Sequence, residues 1–320
     1  MKGLFKSILI AGVVLTLLTT SAFAAFIDMP AGEDGIAIQK AVDNGLLTGF
    51  EDSTVRPNAT ITRAQMAAII TRAFGVTEQA DISSYTDVTS SNWYYDALSK
   101  GVAMGAFQGS NNTLNPNAEI TIQEALIVLS RVFDLPEAPL SVLDNIRDSN
   151  EISSWAKIEV SKVVLGGYVK NTGYLRPLKP MKRVEFATIM NKLAESYITQ
   201  SGEYNASNFP TGNVLIKADN VVLKGVTSKN NIYIGDGVKT ATIFEDCDLE
   251  RVVVRGGIAD VKSGVYSSFR AVGKGTKMNL SKFPAELVRK YEDGTMGSFY
   301  AKPGYGELVI LPYYDVEVVQ

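Results

Sequence analysis

The sequence predicts a multidomain α + β protein: three helix-loop-helix repeats stacked into one body, followed by a small β-rich domain. Two observations carry this. Three segments share one plan: an aromatic or apolar residue near an Asp, a helix, a turn rich in Gly, Asn and Asp, a Pro, then a second helix. The interval is the same each time, from Asp28 to Pro57, Asp87 to Pro116 and Asp148 to Pro177. After "ITQSGEYNASNFPTG" the texture changes to short alternating apolar pairs, which is strand-and-turn punctuation.

In chain order, residues 1–24 read as a targeting segment. Lys2 and Lys6 precede an apolar run, Ile8 to Leu18, and Ala22 and Ala24 offer a cleavage pattern. That run falls short of the ~20 residues of a membrane span, so an exported chain with no membrane partner after cleavage is expected. The repeats occupy 25–80, 81–140 and 141–198. Units this small cannot bury an apolar face alone, so they should stack into one body. In the second repeat Trp93, Ala97, Leu98 and Val102 mark one helix face, and Ala125, Leu126, Leu129 and Phe133 mark the next. Thr62 with Gln65, and Thr121 with Glu124, read as capping boxes. In the third repeat Lys182 stands in the Thr position while Glu185 remains. Asp28, Asp87 and Asp148 are expected to cap the first helices.

Residues 199–212 read as a linker and 213–320 as the β-rich domain. The pairs Val214/Ile216, Val221/Leu223, Ile232/Ile234 and Val252/Val254 suggest a short right-handed parallel β-helix, with a small sandwich as the alternative. The tail from Pro284 adds one short helix and two strands. Tyr305, Tyr313 and Tyr314 read as an ordinary strand face rather than a sugar-binding surface.

Composition excludes several chemistries. There is no histidine, so no Ser-His-Asp or Cys-His catalysis and no His-ligated metal. The lone Cys247 allows no internal disulfide and reads as a buried structural thiol. A net charge of −3 argues against a nucleic-acid partner. No cofactor or metal-ligand set is predicted.

One position is electrostatically odd. Arg63 begins a helix, where the positive end of the dipole prefers an acid. The surrounding "GLLTGFEDSTVRPNATITRAQ" resembles the hallmark stretch of the S-layer homology (SLH) domain family, here as three tandem modules. The resemblance implies a pseudo-threefold bundle. It also implies grooves between modules that bind secondary cell-wall polysaccharide, often carrying pyruvate ketals, or another peptidoglycan-linked polymer. A guanidinium beside free helix N–H groups would suit such a carboxylate. The candidate polysaccharide-binding residues are Arg63, Arg183, Gln65, Glu124, Glu185, Asp28, Asp87, Asp148, Trp93 and Trp155. Repeat two carries Ile122 where the cation would stand. The alternatives are Arg paired with a neighbouring acid, and Trp serving as core anchors.

The expected function is non-covalent anchoring at the cell surface, with the β domain displayed as structural or adhesive cargo. A wall-attached carbohydrate-active enzyme and a self-associating S-layer subunit are the rivals. The enzyme reading has little support, because the charge-rich "FEDCDLERVVVR" reads as a solvated face.

Overall fold

The computed structural model describes residues 26–170, 172–273, 276–279, 297–300, 307–310 and 317–319. The targeting segment, the expected tail helix and Tyr305, Tyr313 and Tyr314 lie outside the described residues.

Each repeat folds as a helix pair. The first supplies α1 (Gly32–Asp43) and α2 (Arg63–Phe74), the second α3 (Tyr95–Ala103) and α4 (Ile122–Val132), the third α5 (Lys157–Leu165) and α6 (Arg183–Leu193). Capping boxes start α2 and α4: the Gln65 and Glu124 amides donate to Thr62 and Thr121, whose own amides donate back to the Gln65 and Glu124 side chains. In α6 half of the box survives, with the Lys182 amide donating to Glu185 at 2.9 Å.

The repeats are knitted in a ring. Ile61 N–H donates to Met181 O, Met181 N–H to Ile120 O, and Ile120 N–H to Ile61 O, at 3.0, 2.8 and 2.9 Å. The first two amides of each second helix donate outward in the same cyclic sense. Arg63 and Ala64 reach Ala118 and Pro116, Ile122 and Gln123 reach Lys179 and Pro177, and Arg183 and Val184 reach Ala59 and Pro57.

The C-terminal region is a parallel β-solenoid of about four turns. Its chain alternates between two sheets, so each coil contributes two strands. One sheet runs β1 (Ser196–Ile198), β3 (Val214–Ile216), β5 (Thr227–Ile234), β7 (Cys247–Val254) and β9 (Gly264–Ala271). The other holds β2 (Gly202–Asn205), β4 (Val221–Lys224), β6 (Ala241–Glu245), β8 (Ile258–Val261) and β10 (Lys277–Asn279). Three short tail strands, β11 (Gly297–Tyr300), β12 (Glu307–Ile310) and β13 (Glu317–Val319), extend these sheets where two were expected. The apolar pairs read from the sequence fill the solenoid interior, and Cys247 packs with them. Its thiol donates to Leu223 O, and burial pushes it above the ordinary thiol range.

The stretch 199–212 corrects the linker expectation. Its Gly202–Asn205 segment is a strand paired in register with β4. Polar Ser, Asn and Gly residues belong to the solenoid's turns, which look like a linker when read along the chain.

The solenoid is not a separate body on a tether. Leu215, Tyr233, Val253 and Val272 belong to the same buried apolar cluster as the helices. They sit on the outer face of the first sheet, alternating with the inward Ile232, Ile234, Val252 and Val254. Phe74, Phe133 and Tyr233 stack edge to face across the seam, with centroids 5.1 and 4.9 Å apart. At Gly237 the two backbones touch. Its amide donates to Phe74 O at 2.9 Å, and a Cβ there would collide with the Gly75 carbonyl.

The seam also overturns the solvated-face reading of "FEDCDLERVVVR". Asp246 and Asp248 are exposed, but Arg251 and Arg255 are buried, at 7% and 3% relative exposure. Arg255 forks onto Asp236 at 2.8 and 3.3 Å and donates to Val132 O and Met104 O. Arg251 and Arg270 both reach Asp134. Strand alternation put these arginines on an outward face. That face is covered by the helical body, a tertiary fact no local pattern carries.

Candidate functional site: the grooves between repeats

The three leading aspartates do not cap their helices. Asp28 accepts from the amides of Val55 and Arg56 at 2.7 and 2.8 Å, Asp87 from Leu114 and Asn115 at 2.9 and 2.7 Å, and Asp148 from Leu175 and Arg176 at 2.8 and 2.7 Å. The second residue of each pair precedes the repeat's Pro and has left-handed backbone, with φ of 49°, 51° and 57°. Such a conformation costs on the order of 1 kcal/mol or more for a non-glycine residue. The carboxylate clamp holds it, and so fixes the loop that meets the neighbouring repeat.

The helix N-termini are likewise occupied. Their first amides are bonded to the neighbouring repeat's loop and the third is taken by the Thr cap in α2 and α4. The expectation of free N–H groups waiting for an anion is therefore corrected. What remains polar at these sites is the side chains.

Arg63 answers its own puzzle. Its Nε donates to Leu114 O at 2.8 Å and its Nη2 to Gln108 O at 3.2 Å, so the guanidinium straps the first repeat to the second. Glu124 stands 3.6 Å from Nη1. Arg183 repeats the arrangement on the first repeat, with bonds of 2.8 Å to Val55 O and 2.6 Å to Thr48 O. Burial draws both guanidiniums below their ordinary pKa; Glu124 and Asp87 oppose this at Arg63, while Arg56 adds to it at Arg183. Both stay charged. A guanidinium has five donors, and these straps use two, leaving N–H groups for the groove.

The groove at Arg63 has a cavity volume of about 520 Å³. It brings together three predicted residues, Arg63, Glu124 and Trp155, with Phe107, Gln108 and Arg131. The walls thus come from all three repeats. Trp155 is 62% exposed and Trp93 66%, which overturns the core-anchor reading of both. Gln65 is exposed at its capping box.

A second groove, of about 240 Å³, lies where Ile122 replaces the arginine. Glu185 lines it with Lys170, Lys182, Tyr174 and Asp34. Asp34 follows Asp28 by the same interval as Trp93 follows Asp87, so it stands where the second repeat carries Trp. It accepts from Lys170 at 2.5 Å and Thr188 at 3.3 Å, adding to the Arg183 strap between the first and third repeats. Glu185 is engaged by Arg176 at 2.8 Å. Sequence reasoning missed Asp34, Lys170 and Arg131. The first was findable from its offset; the other two have no repeated position to mark them.

Comparison with known proteins matches the first two repeats. The family model of the S-layer homology domain matches residues 26–67 and 84–126. The chain is 32% identical over 167 residues to the Surface-layer 125 kDa protein of Lysinibacillus sphaericus, covering 50% of this chain and 14% of that one. It is 25% identical over 164 residues to Exoglucanase XynX of Acetivibrio thermocellus, covering 49% and 15%. Against Cell surface glycoprotein 1 of the same species it is 26% identical over 215 residues, covering 62% and 9%. The chain therefore spans a small part of each relative's length. S-layer homology segments place the protein at the cell surface, on the cell wall. Among the described residues no helix is long and apolar enough to cross a membrane.

Proposed function

We propose that the protein is a non-covalent anchor. Its three repeats act as three S-layer homology modules about a pseudo-threefold axis, and the grooves between them bind an anionic cell-wall polysaccharide. The solenoid is the displayed part, structural or adhesive rather than catalytic. The observation that carries this reading is the Arg63 groove. A guanidinium with spare donors faces an open cavity beside an exposed indole. That pairs a site for an acidic substituent with a flat apolar surface for a sugar face. Arg183 makes the matching pair of carbonyl bonds on the first repeat. The groove at Ile122 lacks the arginine, is lined by Lys170 and Lys182, and reads as a weaker or different site. Two working grooves suffice on a polymer that repeats its epitope, because local concentration raises retention.

The enzyme reading loses its best-charged stretch, since Arg251 and Arg255 are enclosed at the seam. The relatives' glycosidase names describe those longer proteins.

The test is retention of the mature chain on purified cell-wall sacculi, with and without the non-peptidoglycan polymer. Trp155→Ala is the informative variant, because an exposed indole can be removed without disturbing the core. Polymer-dependent retention that falls about tenfold or more in Trp155→Ala supports the reading. Equal retention on stripped sacculi overturns it.

A further inference from the structure

Two guanidiniums line the Arg63 groove, and only one of them is engaged by the protein. Arg131 reaches the cavity from the last turn of α4 and is half-buried there. Among the described residues, its side chain has no hydrogen-bond or ion-pair partner. A basic residue in a last turn suits the helix dipole, which accounts for the charge but not for its lining a cavity.

The acids of the groove are already committed. Glu124, in the first turn of α4, closes the capping box with Thr121 and stands 3.6 Å from Arg63. The exposed Glu119 accepts from the Thr60 hydroxyl. Glu124, Ile127, Val128 and Arg131 follow one face of α4 at helical spacing, and all four line the cavity. From Glu124 to Arg131 the helix makes about two turns, or about 10 Å of axis. The groove is therefore a trough. Arg63 stands at the Glu124 end, Arg131 at the other, with apolar Ile127 and Val128 between them and the exposed Trp155 indole in the wall.

We propose that this trough holds a saccharide segment of disaccharide length with an acidic group at each end, Arg63 taking one and Arg131 the other. A guanidinium forks onto a carboxylate or a phosphate equally well. The cavity of about 520 Å³ exceeds what a single sugar ring fills. One acidic sugar would leave one of the two cations unmet, so Arg131 selects for the longer, doubly acidic segment. The inference rests on the anchor reading and deepens it by naming the length and charge of the epitope.

The experiment uses the mature chain and soluble wall polymer, cut to single-sugar, two-sugar and longer fragments, with affinities measured by calorimetry. Arg131→Ala should weaken binding of two-sugar and longer fragments about tenfold. It should leave single-sugar affinity within about twofold and the unfolding midpoint unchanged. Arg131→Lys, which keeps the charge, should recover part of the loss. Amidating the fragments' carboxylates identifies the acid: an Arg131 effect that vanishes marks carboxylates, and one that persists marks phosphates. Equal affinity of wild type and Arg131→Ala for the longer fragments overturns the inference and leaves the anchor reading standing. An equal loss at every fragment length also overturns it, since Arg131 would then serve a single ring. Wild type that binds no fragment overturns both. If Arg131→Ala lowers the unfolding midpoint, Arg131→Gln, which keeps the stem, decides.

Discussion

The junctions between repeats and the seam under the solenoid both lean on arginine, in different ways. At the junctions, Arg63 and Arg183 donate to main-chain carbonyls and keep N–H groups in reserve, and Arg63 does so at the rim of an opening. At the seam, Arg255 is wrapped on all sides and meets a carboxylate face on. One residue type thus joins parts in both places, but it stays available to a ligand only where the join is left open. The grooves repeat the lesson on a smaller scale. Where Ile122 removes the arginine, no side-chain strap of that kind runs from the second repeat to the third among the described residues, and the groove is lined by Lys170 and Lys182 in its place.

The sharpest way to break this comparison is at the seam. Arg255→Ala leaves the largely enclosed Asp236 without its guanidinium, and should cost about 3 kcal/mol in chemical denaturation. The loss should appear in the helices and the solenoid together, since their core is shared. Separate unfolding steps would mean the two regions are only apposed.

Next in size is the loop clamp. Asp148→Ala strands the buried Leu175 amide and the part-buried Arg176 amide and releases a left-handed backbone, so a loss of about 2–4 kcal/mol is expected. The more exposed Asp28→Ala should cost less by the same assay. Arg63→Ala should lower stability by about 1–3 kcal/mol through the two carbonyls it leaves behind, and weaken polymer retention as well. Trp155→Ala separates these effects: stability within about 0.5 kcal/mol of wild type, with retention sharply reduced. The smallest effect belongs to Lys170→Ala. An exposed pair contributes about 0–1 kcal/mol, and retention should be unchanged if the Ile122 groove carries little of the binding.

Much of this was legible in the sequence. The repeat interval, the capping boxes and the alternating pairs follow from periods of 3.6 and 2, which are local. The roles of the aspartates were not legible. Asp28 looks like a helix cap because it precedes a helix, and its true partners lie in the loop before Pro57. Arg63 was flagged by conflict with its own helix dipole, and the conflict was real; its resolution in the next repeat could not be read from one segment. Arg251 and Arg255 were misread because a charged stretch with strand alternation looks the same whether water or a helical body covers its outer face. The 199–212 turn was misread because a solenoid corner and a flexible connector use the same residues.

The triangle of bonds among Ile61, Ile120 and Met181 has a mechanical meaning. In a linear array the last unit hangs by one contact, and a steady pull peels units away one after another. Here each repeat is held on two sides, so freeing any one requires two junctions to fail together. Tension entering through the solenoid is therefore shared around the ring instead of being concentrated at its end, and resistance should be lost in a single rupture rather than a staircase of smaller ones.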